Sequence, residues 1–424
     1  MYSQKARLQF IKTKVCQDDP VLYKYYEEAT GGSALARKRF RKRLGKADLR
    51  EAVQTLITDA TRDILLQTIR LLGRTMRPMG DLIVSGGEAF NMYFQKEDRI
   101  ITTDIDTKFC PFFRTGPTEF ISSRDPRFFS ALQVTKLIMW NKLGQLAAQM
   151  KTRITQRVAK VAASPLGKLL GIRPVKGLFR RYTLIPKKKQ FVDSLRVKEG
   201  DVLIDVELFA LDLKVWFLGK KHVIPGLLDI AFMRPSEVGY EVLYSRQERR
   251  KGLLVASKKF LIEDLYLLQS LRLRPKKTAK DRLRMSTFAT KVLGVPVSPQ
   301  DTMKTIFFKC LPRVKEPGAN FVRRRPLFNM TQYLRQASRI DPKKYPSVQS
   351  SKVLPCASAK GIPTRSQYAF DAKKHMWTLV NSPMYVRNQA NYRGGTTCYP
   401  GTLYGYSPAR NTAAPKWLIN KAVT

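Results

Sequence analysis

A strand, turn, helix and strand in the first third of the chain constrain its fold more than any other feature. The apolar run 82–84 (Leu-Ile-Val) ends in Ser85-Gly86-Gly87, and the residues from Ala89 to Phe94 favour a helix that begins on the glycines. Arg99 to Phe109 then alternates between apolar and polar residues, which predicts a half-buried strand. The unit therefore predicts an α/β (α+β) fold with Asp104-Ile105-Asp106 on the second strand.

Both ends of this unit suit a site for divalent metal and phosphate. Residues two apart on a strand point to the same side, so Asp104 and Asp106 present their carboxylates to one place. Carboxylate oxygens are the ligands that Mg²⁺ prefers. Gly86 and Gly87 let backbone N–H groups at a helix start approach a triphosphate without a Cβ in the way. Each half alone is equally well a solvated strand edge or an ordinary turn, whereas the two together favour nucleotide chemistry.

The charge of the chain indicates a polyanionic partner. The 424 residues include 78 Lys and Arg but only 33 Asp and Glu, which gives a net charge of +45. The hydrophobic fraction of 43% is large enough for two to three domains with real cores. Five scattered cysteines and two histidines argue against a zinc site or a disulfide framework and suggest a reducing compartment. No apolar run reaches the roughly 20 residues that span a bilayer, so we expect no membrane partner.

The hydrophobic pattern predicts one amphipathic helix from Ala47 to Arg77 and a β-hairpin formed by Val202 to Phe217 and Leu227 to Phe232. The stretch 126–192 contains no acidic residue and favours basic helices. The pattern divides the chain into four parts: a helical N-terminal region, 1–78; a catalytic core, 79–255, with the basic insertion 126–192; a helical C-terminal region, 256–314; and a basic extended tail, 315–424.

The unit resembles the DNA polymerase β-like nucleotidyltransferases, whose signature is Gly-Gly or Gly-Ser, a helix, and Asp-x-Asp on the next strand. More narrowly, residues 84–94 (Val-Ser-Gly-Gly-Glu-Ala-Phe-Asn-Met-Tyr-Phe) and 103–109 (Thr-Asp-Ile-Asp-Thr-Lys-Phe) are similar to the poly(A) polymerase catalytic subunits of large cytoplasmic DNA viruses. The resemblance covers about residues 50–290. It implies a nucleotidyltransferase mixed sheet with flanking helices.

The resemblance also implies a set of site residues. Asp104 and Asp106 would hold two Mg²⁺ or Mn²⁺ ions, and a third carboxylate on a later strand would hold the ion that activates the RNA 3′-hydroxyl. Because the family carries this carboxylate on the second strand of the hairpin, Asp229 is preferred and Asp212 is the alternative. If Asp212 does not bind metal, its expected role is structural, in a salt bridge with a nearby lysine. The other candidates are Asp205 and Glu207. Ser85, Gly86 and Gly87 would bind the nucleotide, with ATP as substrate.

The implied activity is the addition of AMP from ATP to RNA 3′ ends in the host cytoplasm, at the viral factory, or in the virion. The alternative is a nucleic-acid-binding or virion structural protein on the same scaffold, which the excess charge favours. A CCA-adding enzyme or an immune-type oligonucleotide synthetase is a third interpretation. Lys151 to Lys189 is a candidate RNA track, and a basic run that includes Lys277 and Lys280 could contact triphosphate or RNA. Genomic DNA and virion components are further partners for the tail, and homodimerisation is left open.

Overall fold

The computed structural model describes residues 4–44, 49–114, 126–188, 203–232, 247–270 and 277–314, a few positions between 326 and 339, and two short strands within 368–379. These residues form a mixed α/β structure centred on a seven-stranded sheet, which confirms the predicted fold class. No described helix has the length and apolar character needed to span a bilayer. Nearly all of the tail predicted for 315–424 lies outside the described residues, and the predicted domain boundaries stay predictions.

The helices lie before, between and after the strands. They are α1 (Gln4–Phe10, continued by a π-helical turn, Ile11–Val15), α2 (Pro20–Thr30), α3 (Ala34–Leu44), α4 (Arg50–Met76), α5 (Gly86–Tyr93), α6 (Pro126–Ala163), α7 (Pro165–Leu170), α8 (Lys258–Ser270), α9 (Thr278–Val292) and α10 (Met303–Cys310, followed by a 3-10 turn, Leu311–Arg313). The amphipathic helix predicted from Ala47 to Arg77 is confirmed as α4. Its buried face, which includes Ile57, Ile64 and Leu72, packs on α6 and β1.

The main sheet has the strand order β3-β4-β5-β2-β1-β7-β6. Its strands are β1 (Gly80–Val84), β2 (Ile105–Pro111), β3 (Arg173–Lys188), β4 (Leu203–Phe217), β5 (Lys220–Phe232), β6 (Gln247–Arg250) and β7 (Leu253–Ala256). Strands β2 and β5 run parallel, as do β1 and β7, while the remaining neighbours are antiparallel. Strands β8 (Tyr368–Asp371) and β9 (Met376–Leu379) pair in a separate small sheet.

A row of aromatic side chains fixes the centre of the sheet. Phe232 on β5 lies between Phe109 on β2 and Phe209 on β4, with ring centroids 5.1 and 5.0 Å away. Trp140 of α6 packs edge-on against Phe209 at 5.4 Å. These rings are large apolar surfaces, and their burial holds β2, β4 and β5 in the register that positions the site.

Two predicted elements are wrong in part. The basic stretch 126–192 is helical only through α7, because its second half forms the edge strand β3. Pro174 and Pro186 disfavour a helix there, and an edge strand tolerates proline. The strand predicted from Arg99 begins only at Ile105, so Asp104 lies just before β2 rather than within it. The predicted hairpin is confirmed, although its second strand starts earlier, at Lys220.

Candidate metal and nucleotide site

Three carboxylates meet where β2 begins. Asp106 on β2 and Asp229 on β5 are direct partners in the parallel register, and neighbouring strands lie about 4.8 Å apart. Asp104 precedes β2 by one residue and turns its carboxylate toward the same place. Carboxylate oxygens of Asp104, Asp106 and Asp229 all lie within 4.8 Å of one another. The structure thus brings together the three aspartates singled out from the sequence.

The cluster has the properties of a cation site. Burial raises the pKa of Asp229 to about 7, and repulsion from Asp106 and Asp104 acts in the same direction. Burial also raises the pKa of Asp104 to about 6, with a further contribution from Asp106. Oδ1 of Asp229 is buried and accepts no hydrogen bond from any described residue. Carboxylates that repel one another, one of them with an unpartnered buried oxygen, are stabilised by a bound divalent cation, so these residues fit Mg²⁺ or Mn²⁺.

Glycines make room for two of the carboxylates. Gly86 opens α5 with φ at +59°, and a Cβ at this position would clash with Oδ2 of Asp106. The preceding Ser85 N–H donates a 3.0 Å hydrogen bond to the carbonyl of Asp106. Gly226 also has φ at +59°, and a Cβ there would lie 2.5 Å from Oδ1 of Asp229. Both glycines are therefore required by backbone conformation and by the close approach of a carboxylate.

Asp212, the alternative candidate for the third carboxylate, makes buried contacts with Arg181 and Gly226. Its carboxylate is 1% exposed and lies outside the aspartate cluster, where Oδ2 accepts a 2.7 Å hydrogen bond from Nε of Arg181 and Oδ1 accepts the N–H of Gly226 at 2.8 Å. The pairing of β4 with β5 shifts register between Leu211 and Leu213, which marks a β-bulge. Asp212 thus holds the bulge that presents Asp229, and its ion-pair partner is an arginine rather than the expected lysine. Asp205 and Glu207 lie on β4, but their side chains are outside the described part.

Cations from α9 and the residue before it face the cluster. Lys277 and Lys280 are close enough to Asp104 to oppose the rise in its pKa. Burial lowers the pKa of Lys280 to about 8, and the neighbouring charge of Arg284 adds to this effect. Nη2 of Arg284 lies 2.7 Å from the point where a Cβ on Gly87 would sit. A group of positive charge therefore borders the start of α5, where a phosphate would bind.

A buried ion pair anchors this helix start. Arg62 of α4 contacts the carboxylate of Glu88 in the first turn of α5, and its Nη2 lies 3.2 Å from Oγ1 of Thr102, just before Asp104. All three side chains are buried. One guanidinium thus connects α4, α5 and the segment that enters β2, which fixes the glycine turn relative to the aspartates.

Sequence reasoning missed Gly226 and Arg284. The signal for Gly226 is a Pro-Gly pair inside a strand pattern, which indicates a bulge. An arginine within a helical pattern carries no comparable signal. Comparison with protein-family models, with curated proteins and with solved structures finds no match. The functional argument therefore depends on the geometry of the site and on its motif.

Proposed function

We propose that this chain is a metal-dependent nucleotidyltransferase that adds AMP from ATP to RNA 3′ ends. The observation that carries the proposal is the cluster of Asp104, Asp106 and Asp229 beside the glycine turn that opens α5. RNA as acceptor is supported by the net charge of +45. The choice of ATP, and a site of action in the host cytoplasm or the virion, come from the resemblance of residues 84–109 to viral poly(A) polymerases.

Each part of the site has a place in this reaction. Asp104, Asp106 and Asp229 would hold the metal ions, which when bound neutralise charge on the α-phosphate and activate the attacking hydroxyl. The N–H groups at Gly86 and Gly87 would orient the triphosphate, and the cations of the α9 region would balance its charge. The transfer joins the RNA 3′-oxygen to the α-phosphorus and releases pyrophosphate. It requires no nucleophilic side chain from the protein.

The experiment is primer extension with each of the four nucleotides supplied separately, in Mg²⁺ or Mn²⁺. We expect the purified chain to extend several RNA primers with ATP. Asp104→Ala should abolish extension while RNA binding is retained, because the aspartate contacts metal rather than RNA. Asp63→Asn is the matched control, since Asp63 is an exposed aspartate of α4 that pairs with Arg157 at 2.8 Å, outside the cluster.

The second candidate function is nucleic-acid binding on an inactive scaffold, as in a virion structural protein. The size of the positive charge favours it, because 78 basic residues exceed what one primer end requires. The same assay separates the two functions. RNA binding without incorporation of any of the four nucleotides would support the structural protein and contradict the enzyme.

A further inference from the structure

A cavity lies away from the aspartates, between α3, the start of α4, the junction of α7 with β3, and the tip of the β4–β5 hairpin. Its volume is about 850 Å³. Its lining includes four cationic side chains, Arg41, Arg50, Arg173 and Lys220, and the rings of Trp216 and His222. None of its described lining residues is acidic. A concave surface with this composition suits an anion that also carries a flat ring.

Trp216 is the most informative residue of the cavity. Trp216 is 39% exposed, so part of its indole ring is open to a ligand in the cavity. Its direct cross-strand neighbours are Arg173 on β3 and Lys221 on β5, so the indole stands between two cations on one face of the sheet. The adjacent Phe217 is buried and stacks on His222 with ring centroids 3.8 Å apart, which makes this end of the hairpin rigid.

Strand β5 connects the cavity to the aspartate cluster, because it contributes His222 to the first and Asp229 to the second. Strand β2 starts opposite Leu228, so residues 220–227 of β5 project beyond it at the end of the sheet that carries the aspartates. His222 and Asp229 are seven residues apart on β5, which corresponds to roughly 23 Å. The first turns of α4 follow this path, because Arg50 donates to the carbonyl of Val223 at 2.8 Å and Thr58 to that of Thr103 at 2.7 Å.

The positive charge continues from the cavity onto α3. This helix contains no acidic residue, and its cations Arg37, Lys38, Arg39 and Lys42 are all exposed. Arg41 is held at the rim, where it donates hydrogen bonds to the carbonyls of Leu169 and Lys168 at 3.1 and 2.9 Å. A strand of nucleic acid that leaves the cavity thus meets a further row of cations for its phosphates.

We propose that this cavity binds the upstream segment of a single-stranded nucleic acid whose 3′ end lies at the aspartate cluster. Arg173 and Lys220 contact phosphates, and Trp216 stacks on a base. The inference rests on the proposed function only for the position of the 3′ end. The site itself is defined by its cations, its exposed indole and its volume, and it recognises bases through their rings rather than through their edges.

The test measures binding of a labelled single-stranded oligonucleotide, as RNA and as DNA, to the full chain in EDTA and without ATP. Arg173→Glu combined with Lys220→Glu should weaken binding by about tenfold or more, and Trp216→Ala should weaken it by about tenfold. The matched control is Arg249→Glu combined with Lys304→Glu. Both are exposed cations outside the cavity lining, Arg249 on β6 at the sheet edge opposite β3 and Lys304 on α10. We expect the control to change binding by about twofold or less. Circular dichroism verifies that each variant is folded.

Equal losses in the control and in the cavity variant would overturn the inference, since binding would then follow total charge. Retention of full affinity by Trp216→Ala would also overturn it. The fluorescence of Trp216 is the part of the tryptophan signal that is lost in Trp216→Ala. If AMP alone changed this signal to the same extent as the oligonucleotide, the cavity would be assigned to a mononucleotide instead. Because this assay requires neither metal nor transfer, a chain that incorporates no nucleotide but passes these tests would contradict only the proposed function. Stronger binding of RNA than of DNA would identify the 2′-hydroxyl as part of the recognition.

Discussion

Individual glycines position the carboxylates of the site as much as the strands do. Gly86 and Gly226 each place a backbone at positive φ directly beside an aspartate oxygen, one at Asp106 and the other at Asp229. Any larger residue would be strained and would also displace the carboxylate. The cluster therefore depends on five residues rather than three, and two of the five have no side chain.

Gly86→Ala should reduce nucleotide incorporation by about 100-fold or more, because the new methyl group displaces Oδ2 of Asp106 from the cluster. It should also lower the free energy of unfolding by roughly 1–3 kcal/mol. Gly294→Ala is the matched control, since Gly294 has a similar φ of +64° with nothing within 4 Å of the added Cβ. The control should lose stability but not activity. Equal activity losses in the two variants would contradict a specific role for Gly86.

The burial of the aspartates, together with their mutual repulsion, predicts a pH dependence of stability. A carboxyl whose pKa is raised in the folded state favours folding while it is protonated, and this contribution is lost as pH rises through the folded value. For Asp229 the loss extends from its usual value of 3.8 to about 7. In the metal-free chain, Asp229→Asn should therefore increase the free energy of unfolding by roughly 0.5–2 kcal/mol at pH 8 and have little effect near pH 4.

Bound Mg²⁺ or Mn²⁺ should reverse this difference in stability, so that wild type becomes more stable than Asp229→Asn at pH 8. The ion binds the folded wild-type chain and stabilises it by mass action, whereas Asp229→Asn removes a ligand and weakens that stabilisation. Thermal melts at pH 4 and pH 8, each with EDTA or with Mn²⁺, provide the four measurements. A variant that is less stable than wild type at pH 8 in EDTA would show that the Asp229 carboxylate is satisfied by the protein alone.

At the scale of elements, the β4–β5 hairpin connects the two sites. Asp212 accepts a hydrogen bond within the bulge of the hairpin, next to Asp229, and the hairpin tip contributes Trp216 and Lys220 to the lining of the cavity. Asp212→Ala removes the acceptor of both Arg181 and the Gly226 N–H, so we expect a loss of roughly 1–3 kcal/mol of stability at pH 7. This effect is opposite in sign to that of Asp229→Asn, and urea unfolding of both variants measures the contrast. If Asp212→Ala were instead as stable as wild type, the bulge would not depend on this carboxylate.

Local patterns in the sequence were enough to predict α4, β1, the hairpin and the glycine turn, because each has a strong periodicity or a specific turn residue. The pattern could not show that Asp104 lies just before β2, because the alternation of apolar and polar residues continues on the N-terminal side of the residues that pair in the sheet. Strand β3 was obscured by its cations, which suit a solvated helix equally well. Pro174 and Pro186 argue against a helix there, but only the long-range pairing with β4 makes the segment a strand.

The preference for Asp229 over Asp212 came from the family resemblance, since local pattern alone does not separate the two residues. Both residues lie in apolar surroundings within strands, so their local patterns are similar. The register of β5 against β2 distinguishes them, because it places Asp229 directly beside Asp106. Lys280 was already a candidate from the basic run in the sequence. Arg284 lies beside Gly87 only because α9 packs near the start of α5, a tertiary contact that spacing along the chain cannot predict.

At the scale of the whole molecule, the charge of +45 predicts the salt dependence of the proposed nucleic-acid binding. Each phosphate contact releases counterions, so the logarithm of the RNA affinity should fall linearly with the logarithm of salt, by about 0.7 for each contact with a single strand. Charge reversal of Arg173 and Lys220 should make this slope less steep by about 1.4, corresponding to two lost contacts. Anisotropy titrations between 50 and 300 mM salt, as an approximate range, give the slopes. An unchanged slope would mean that neither cation contacts a phosphate.

The central claim is that the three aspartates form the metal site of a nucleotidyltransferase. Its most direct test is Mn²⁺-dependent incorporation of labelled ATP into an RNA primer by wild type, Asp229→Asn and Asp63→Asn, with RNA binding measured on the same samples. We predict extension by wild type and by Asp63→Asn, and a loss of about 100-fold or more for Asp229→Asn with RNA binding intact. Activity of Asp229→Asn equal to wild type, or no incorporation of any nucleotide by a folded wild-type chain that binds RNA, would contradict the claim.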